Sequence, residues 1–252
     1  MTAIVLAAGV GKRFGSATQQ TPKCLLSVAG RPLLARLLES VHAAEVPRAI
    51  VVVGHQQDQI RQAVASWRLP IAVEFAVNER YTRGAVLSLW SARQYLDGDV
   101  LIMDADVYCP TEMIGRLVRS PHPSCFLLDG AVAGSGEEQM LMVRQGRVWH
   151  IARQVQPGYE LVGESVGFLK LAKADAQRLR ELLDRVVADG RIDIEHEELY
   201  PELLRERTVG YERVDGMLWS EIDFPEDLER IEQRLLVINA DAGRQSKIAR
   251  KS

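Results

Sequence analysis

The sequence predicts an α/β fold built on a mixed, mostly parallel β-sheet flanked by helices. Short apolar runs in the first half of the chain, each ended by glycine or polar residues, indicate buried strands. Segments with apolar residues at helical spacing separate these runs. Strands that are apolar throughout and alternate with helices are typical of parallel sheets covered on both faces.

The first half of the chain supplies the parallel core. We predict strands at residues 3–6, 49–53, 71–77 and 100–103. We predict three helices here: one that starts at residue 32, one over residues 56–67 and one over residues 85–96. In such sheets ligands bind beyond the carboxyl ends of the strands, so the loops after the first and fourth strands are expected to meet in one cleft.

The second half is richer in strands and predicts a small β-rich embellishment on the core. Its expected strands are residues 139–143, 147–152, 162–171, 209–214 and 218–222, the first two forming a hairpin. Its expected helices are residues 172–188, 194–205 and 225–236. Pro201 is expected to interrupt the second of these helices early.

Composition places the chain among ordinary globular proteins. We predict one domain over residues 1–238 and a frayed, polar and basic tail over 239–252, with attraction to nucleic acid or a membrane as the alternative for the tail. The net charge of −3 gives no general case for nucleic-acid binding. Three cysteines without metal-type spacing indicate reduced thiols. With no signal peptide or bilayer-spanning run, we expect a cytoplasmic protein without membrane insertion.

The first loop has the chemistry of a phosphate-binding site. Glycines let backbone N–H groups approach phosphate oxygens, and nearby cations complement their charge. The alternative is that the glycines only form a turn and bind no phosphate. The adjoining arginine and Pro-Lys pair favour the phosphate-binding interpretation. The residues expected to bind nucleotide here are Leu6, Ala8, Gly9, Gly11, Lys12 and Arg13, followed by Lys23 in Thr21-Pro22-Lys23-Cys24-Leu25.

Two other phosphate-loop families fit this segment poorly. A Walker loop requires Ser or Thr after Gly-Lys, and here Arg13 follows Lys12. A dinucleotide fingerprint requires a third glycine where Phe14 stands. A dinucleotide-binding oxidoreductase is therefore a weak alternative.

The two blocks Leu-Ala-Ala-Gly-x-Gly-x-Arg and Thr-Pro-Lys-x-Leu resemble the signature of the nucleoside-triphosphate transferases that activate sugar phosphates and phospho-alcohols. The rest of the chain, to about residue 235, is similar to the phosphocholine cytidylyltransferase branch. The segments that carry this similarity are residues 77–81, 87–89, 103–108 and 220–223 followed by Asp227. The paired asparagines common before the serine of that family are replaced here by residues 82–87, which leaves the acceptor open.

The resemblance implies a Rossmann-like core and Mg²⁺ held by Asp106 and Asp223. Magnesium prefers a few carboxylate oxygens and takes its other ligands from water and phosphates. Asp104 and Glu221 are neighbouring acids that would support the metal or bind a second one. For Asp223 there is a structural alternative, since it could cap the helix that starts at Pro225.

The resemblance also implies an acceptor site in the second half, over about residues 131–238, beside a nucleotide-binding part over about 1–130. Ser88 would contact the nucleotide, or be an ordinary helix serine. A quaternary ammonium requires aromatic faces and a nearby acid. The candidates for acceptor binding are Lys23, Arg83, Glu164, Glu197, Trp219 and Glu221, with Tyr108, Trp149 and Glu198 as further possibilities.

The activity implied is transfer of a nucleotidyl group from CTP, or another triphosphate, to a small phosphorylated alcohol such as phosphocholine. The products would be a CDP-alcohol and pyrophosphate. Lys23 and Arg13 are the expected catalytic residues. Alternatives are an inositol-phosphate, aminoalkylphosphonate or sugar-phosphate acceptor, and, from another class, a non-catalytic nucleotide sensor. The sequence leaves a homodimer open.

Overall fold

The computed structural model describes residues 1–14, 21–131 and 136–249, with only the backbone described for Lys12 and for residues 239–249. Its strands are β1 (Thr2–Ala7), β2 (Ser27–Val28), β3 (Arg31–Pro32), β4 (Arg48–Val53), β5 (Ala72–Val77), β6 (Val100–Asp104), β7 (Val107–Tyr108), β8 (Cys125–Asp129), β9 (Met140–Arg144), β10 (Arg147–Ala152), β11 (Leu161–Leu171), β12 (Gly210–Arg213) and β13 (Ser220–Glu221). Its α-helices are α1 (Leu33–Ala43), α2 (Gln57–Ser66), α3 (Val86–Ser91), α4 (Thr111–Arg119), α5 (Lys173–Ala188), α6 (Tyr200–Glu206) and α7 (Pro225–Ala249).

A mixed sheet of nine strands runs through the described residues. One path through it has the order β10-β9-β11-β6-β1-β4-β5, and β8 joins β11 to β12. Strands β5, β4, β1 and β6 pair in parallel, whereas β11 is antiparallel to β6, β8 and β9. All strands of this sheet except β10 and β11 run in one direction. The predicted α/β fold with a mixed, mostly parallel sheet is therefore confirmed.

Alternate residues of each buried strand point to opposite sides of the sheet, so both of its faces are apolar. Helices cover both faces. On one face Ile4 packs in a cluster that includes Leu87 of α3 and Leu179 of α5. On the other face Val5 packs in a cluster that includes Leu34 of α1 and Ile114 of α4.

A third apolar cluster joins the start of the chain to its late segments, and we call it the bridging cluster. Its buried members are Phe14, Val28, Leu33, Tyr108, Ile222 and Ile231. The cluster ties the loop after β1 to β7, to the residue after β13 and to α7.

Several predicted boundaries differ from the structure. The helix expected over residues 85–96 ends at Ser91, whose hydroxyl donates to the Leu87 carbonyl at 2.8 Å, and a 3₁₀ turn follows at Arg93–Tyr95. Such side-chain bonds to the preceding turn compete with the helix ladder. Pro201 does not interrupt a helix, since it lies in the first turn of α6, where a proline fits.

The C-terminal segment corrects the prediction of a frayed tail. The backbone of α7 is helical for 25 residues, to Ala249. The prediction rested on the polar and basic character of this stretch. Its alanine, arginine, glutamine and lysine residues are also good helix formers. Across the described part of the chain, no helix combines enough length with enough apolar character to cross a bilayer.

Candidate active site

A cleft of about 960 Å³ opens beyond the carboxyl ends of β1 and β6. Its volume lies at the upper end of the usual range for small-molecule sites, which leaves room for a nucleotide and a second substrate. The side chain of Lys12 lies outside the described part of the structure. Apart from Tyr108, Trp149 and Glu198, the other predicted site residues line this cleft: Leu6, Ala8, Gly9, Gly11, Arg13, Lys23, Arg83, Ser88, Asp106, Glu164, Glu197, Trp219, Glu221 and Asp223.

The loop after β1 turns sharply at Gly11. Its φ of 65° lies in the left-handed region, which glycine adopts without a steric penalty. The Phe14 N–H donates to the Gly11 carbonyl at 3.1 Å, and the His55 N–H donates to the Ala8 carbonyl at 3.2 Å. The loop is thus closed on itself and tied to the neighbouring strand end, with Gly9 lining the cleft between these contacts.

Lys23 stands at the centre of the charged groups in the cleft. Its Nζ donates to Asp106 Oδ2 at 2.7 Å and to Asp223 Oδ1 at 2.5 Å. Arg13 Nη1 donates to the other oxygen of Asp223 at 2.8 Å. Residues that are far apart in sequence therefore form one continuous ion-pair network at the mouth of the glycine loop.

The backbone brings the two aspartates together. Strands β7 and β13 pair antiparallel, with Val107 opposite Glu221. The Ile222 N–H also donates to the Asp106 carbonyl at 3.0 Å. Because Ile222 is buried in the bridging cluster, the side chains on either side of it, Glu221 and Asp223, are held at the cleft.

The helix-capping alternative for Asp223 is wrong. Asp227 supplies the cap instead, since its Oδ2 accepts from the backbone N–H groups of Asp223 at 2.9 Å and Phe224 at 2.8 Å. Carboxylates near a helix N-terminus are favoured by its unpaired donors. The carboxylate of Asp223 instead accepts hydrogen bonds from Lys23 and Arg13.

The network shifts the ionisation of its members in different directions. Burial alone would lower the pKa of Lys23, but the charges of Asp106 and Asp223 raise it above its usual value. Burial would raise the pKa of Asp223, but Lys23 and Arg13 hold it below its usual range. Burial, followed by the charges of Asp106 and Asp223, raises the pKa of Glu221 to about 9.

The carboxylates fit a hard divalent cation. One oxygen each from Asp106, Glu221 and Asp223 lies within 4.8 Å of the others. Oxygen donors of this type suit Mg²⁺. The ammonium group of Lys23 already shows that this position attracts a cation.

Another group of cleft residues is acidic and includes an indole ring. Trp219 Nε1 donates to Asp129 Oδ2 at 2.8 Å, so the ring is fixed beside a carboxylate. Glu164 lines the same region, and burial, with the charges of Glu138 and Asp129, raises its pKa to about 7. Glu197 also lines the cleft, and burial, opposed by the charge of His196, raises its pKa to about 7.

One polar network in the cleft was not predicted. His196 is buried, with Nδ1 3.0 Å from the Tyr200 hydroxyl and Nε2 3.3 Å from Asp104 Oδ1. Burial alone would lower the pKa of His196, but Asp104 raises it to about 9. The spacing of His196 and Tyr200 places them one helical turn apart, but nothing in the local sequence indicates that they reach Asp104.

Gly167 provides space for this aspartate. A Cβ atom at residue 167 would lie 2.6 Å from Asp104 Oδ2, and the φ of +78° is itself unfavourable for other residues. The irregular pairing of β11 with β8 around this glycine therefore makes room for a polar group of the cleft.

Some predicted candidates lie elsewhere or are already paired. Tyr108 is buried in the bridging cluster, and Trp149 is outside the cleft, with Nε1 donating to the Arg144 carbonyl at 2.8 Å. Glu198 belongs to the capping box of a 3₁₀ helix. None of the three lines the described cleft, which corrects their proposed part in an aromatic or acidic cage.

Arg83 and Ser88 line the cleft but have protein partners. Arg83 makes a two-pronged hydrogen bond with Asp193, and both side chains are exposed. Ser88 is buried, and its Oγ accepts from Asn78 Nδ2 at 3.0 Å. A substrate would compete with Asp193 for Arg83, whereas Ser88 supports the wall of the cleft through α3.

Comparison with known proteins identifies one family. The sequence model of the family described as the MobA-like NTP transferase domain matches residues 3–189. A 2-aminoethylphosphonate cytidylyltransferase of Lancefieldella rimae is 28% identical over 199 residues, which cover 79% of this chain and 76% of that protein.

A second relative matches a shorter segment. The CMP-5'-(3-aminopropyl)phosphonate synthase of Streptomyces rubellomurinus is 34% identical over 123 residues, or 48% of this chain. The match covers 20% of the length of that synthase. Among solved structures, the CTP:phosphocholine cytidylyltransferase of Streptococcus pneumoniae superposes with a TM-score of 0.73 at 23% identity, covering 93% of this chain and 98% of that one.

Proposed function

Since the chain belongs to the MobA-like NTP transferase family, we propose that it is a cytidylyltransferase acting on a small phosphorylated or phosphonate acceptor with a cationic end. The observation that carries the proposal is the junction of Lys23, Arg13, Asp106 and Asp223 beside the glycine loop. The names of the two sequence relatives support cytidylyl transfer and an aminoalkyl acceptor.

The proposed reaction is a direct displacement at phosphorus. An acceptor oxygen forms a bond to the α-phosphorus of CTP, and the bond from that phosphorus to the oxygen bridging to the β-phosphate breaks. Pyrophosphate leaves with that oxygen. Holding both substrates in line and stabilising their charge supplies most of the catalysis in such reactions, so no covalent enzyme intermediate is needed.

Each cation of the loop has a position suited to one part of the triphosphate. Lys23, at the centre of the cleft, would stabilise the α-phosphate and the incoming acceptor oxygen. Arg13 has a side chain that is 52% exposed, so its planar donor group can turn toward the leaving β- and γ-phosphates. The backbone at Ala8 and Gly9 would receive the base, and Ser88 would hold the wall behind it.

Asp106 and Asp223, with Glu221 beside them, are the residues that would hold Mg²⁺. When bound there, such an ion would neutralise charge that builds up on the phosphates. The two aspartates come from distant parts of the chain, so they would also align the triphosphate loop with the acceptor side of the cleft.

The acidic side of the cleft is the proposed acceptor site. Glu164 and Glu197 supply negative charge, and Trp219 supplies an aromatic face fixed by Asp129. Ammonium groups bind to such combinations of ring face and carboxylate. Arg83, at the edge, would bind the acceptor phosphate after leaving Asp193.

The test is pyrophosphate release with each of the four nucleoside triphosphates and Mg²⁺. The acceptor panel contains phosphocholine, aminoethyl- and aminopropylphosphonate, inositol phosphate and glucose 1-phosphate. We expect turnover with CTP and an amine-bearing acceptor. Turnover with UTP and the sugar phosphate alone, or with no pair at all, would contradict the proposal.

A further inference from the structure

Lys23 lies in the position that the carboxylates would offer to a divalent cation. Its Nζ is 2.7 Å from Asp106 Oδ2 and 2.5 Å from Asp223 Oδ1. These two residues and Glu221 are the acids whose oxygens converge within 4.8 Å. The carboxylates of Asp106 and Asp223 therefore face both the ammonium group and the proposed metal.

The two cations exclude each other for electrostatic reasons. The side chain of Lys23 is only 12% exposed, so water screens its charge poorly. An ion held by Asp106 and Asp223 while the ammonium stayed in place would lie a few ångströms from a like charge. Arg13 already shares Asp223, which leaves that carboxylate little capacity for a third cation.

We propose that Lys23 is an internal counter-ion that occupies the cation position and leaves it for the phosphates when the metal and triphosphate bind. This inference rests on the proposed function, because it takes the carboxylates as the metal site. It goes further in assigning Lys23 two successive sets of partners: the aspartates in the free protein and phosphate oxygens in the loaded one.

A distinctive consequence follows for the protein without nucleotide. Lys23 should weaken binding of a divalent cation, since the cation must displace an ammonium that has no phosphate to move to. With triphosphate present, the displaced ammonium gains new partners, so metal and nucleotide should bind with positive coupling. Loss of Lys23 should therefore strengthen metal binding to the free protein, although it removes a proposed catalytic residue.

The experiment measures Mn²⁺ binding without nucleotide, by the electron paramagnetic resonance signal of free Mn²⁺. The variants are Lys23→Met, which keeps the length of the side chain, and Lys23→Met combined with Asp106→Asn. The control is Arg153→Met, which removes one positive charge from the same cleft, where Arg153 acts on Glu197 and forms no ion pair with Asp106 or Asp223. We expect Lys23→Met to bind Mn²⁺ at least about tenfold more tightly than the wild type, from loss of a close like charge.

The added Asp106→Asn change should abolish this gain. Arg153→Met should stay within about twofold of the wild type, because Arg153 is exposed, so salt and water screen its charge. Equal affinity of Lys23→Met and wild type, a gain that survives Asp106→Asn, or an equal gain in Arg153→Met would each overturn the inference. If circular dichroism shows that Lys23→Met is unfolded, Lys23→Gln gives the same comparison with a side chain that still donates a hydrogen bond.

The result can be separated from the fate of the proposed function. Tighter Mn²⁺ binding by Lys23→Met, with no pyrophosphate release by the wild type on any substrate pair, would leave the counter-ion assignment intact and remove the catalytic one. Normal pyrophosphate release by the wild type, with unchanged Mn²⁺ affinity in Lys23→Met, would leave the proposed function intact and remove the counter-ion assignment.

Discussion

Lys23 combines two short ion pairs with a poorly exposed position, and both matter for its proposed role in stabilising phosphate charge. An ammonium buried between two carboxylates stays protonated, because Asp106 and Asp223 raise its pKa above the usual value. It is therefore a permanent cation at the pH of any ordinary assay. A cation that never loses its charge suits the stabilisation of phosphate oxygens and is a poor general base.

We expect Lys23→Ala to lower turnover by on the order of a hundredfold or more, the scale for losing one charge-stabilising donor. The fold should survive, since Lys23 belongs to none of the three apolar clusters and its ammonium group donates to carboxylates of the cleft. Turnover is measured as pyrophosphate release, and circular dichroism checks the fold. Near-normal release by a folded variant would remove Lys23 from the catalytic residues.

Glu164 gives the acceptor site an expected pH dependence. Its pKa is raised to about 7, so it is mostly neutral at pH 6 and mostly charged at pH 8. The KM for aminoethylphosphonate should therefore fall as the pH rises through this range. Relative to the KM of the Glu164→Gln variant for the same substrate, the fall should be about threefold to fivefold, the scale of a partly screened ion pair.

The matching variant is Glu164→Gln, which keeps the shape and removes the charge. Ionisation of the substrate and of Glu197 affects both proteins, so it cancels in the ratio of the wild-type KM to the variant KM. That ratio should fall as the pH rises from 6 to 8. A ratio that does not change with pH would show that the ammonium group is bound by other residues.

At the scale of elements, the site depends on a few interruptions of regular structure. Strand β11 contains Gly167 at a φ of +78°, and this irregularity leaves space for Asp104. The pairing of β7 with β13 is only two residues long, yet it sets the distance between the two acidic segments. Both features are local irregularities in the strand structure, and both lie beside the cleft.

We expect Gly167→Ala to destabilise the protein by about 1–3 kcal/mol, from left-handed backbone strain and contact with Asp104. Turnover should fall as well, because Asp104 and its partner His196 must shift. The control is Gly190→Ala, which has a similar φ of +75° but open space around the added methyl group.

Urea unfolding and pyrophosphate release separate the two effects. Gly190→Ala should lose stability from strain alone and keep its turnover. Equal losses of stability and of turnover in both variants would mean that the space beside Asp104 has no special importance.

The sequence predicts the elements of the first half well, because continuous apolar runs such as β1, β4 and β6 are strong local signals. No element is predicted over residues 111–129, where the structure has α4 and β8. The run Cys125–Asp129 is apolar and short, and such runs do not distinguish a strand from a helix without their neighbours. Its role as a partner of β11 and β12 depends on residues far along the chain.

The residues of the candidate site can likewise be divided into those that the local sequence indicates and those that it does not. The glycine loop, Lys23 and the acids after β6 stand out locally, because motif and strand end coincide. His196 and Asp129 do not, since their importance comes from contacts with Asp104 and Trp219 that form only in the folded chain. Asp223 could be selected only through the family resemblance, because the local pattern favoured a helix cap.

At the scale of the whole molecule, the bridging cluster connects the glycine loop after β1 to the acidic segment around β13. Ile231 of α7 is buried there with Phe14 and Ile222, which are close in sequence to Arg13 and Asp223. We expect Ile231→Ala to lower the free energy of unfolding by about 2–5 kcal/mol, the range for such cavities in a core. Turnover should also fall, because Asp223 loses its support.

The control for this change lies on the same helix. Leu236 is 70% exposed, so Leu236→Ala should alter stability by no more than about 0.5 kcal/mol. Urea denaturation gives both values. A small effect of Ile231→Ala on both stability and turnover would show that α7 is not required to hold the acidic segment.

The ion pair between Lys23 and Asp223 joins residues 200 positions apart. During synthesis on the ribosome, at about 5–20 residues per second, the aspartate emerges on the order of ten seconds or more after the lysine. The nascent chain can build much of its parallel sheet in that interval, but its cleft still lacks one of the two aspartates. The proposed nucleotide chemistry therefore cannot begin until residue 223 has been synthesised and has paired with Lys23.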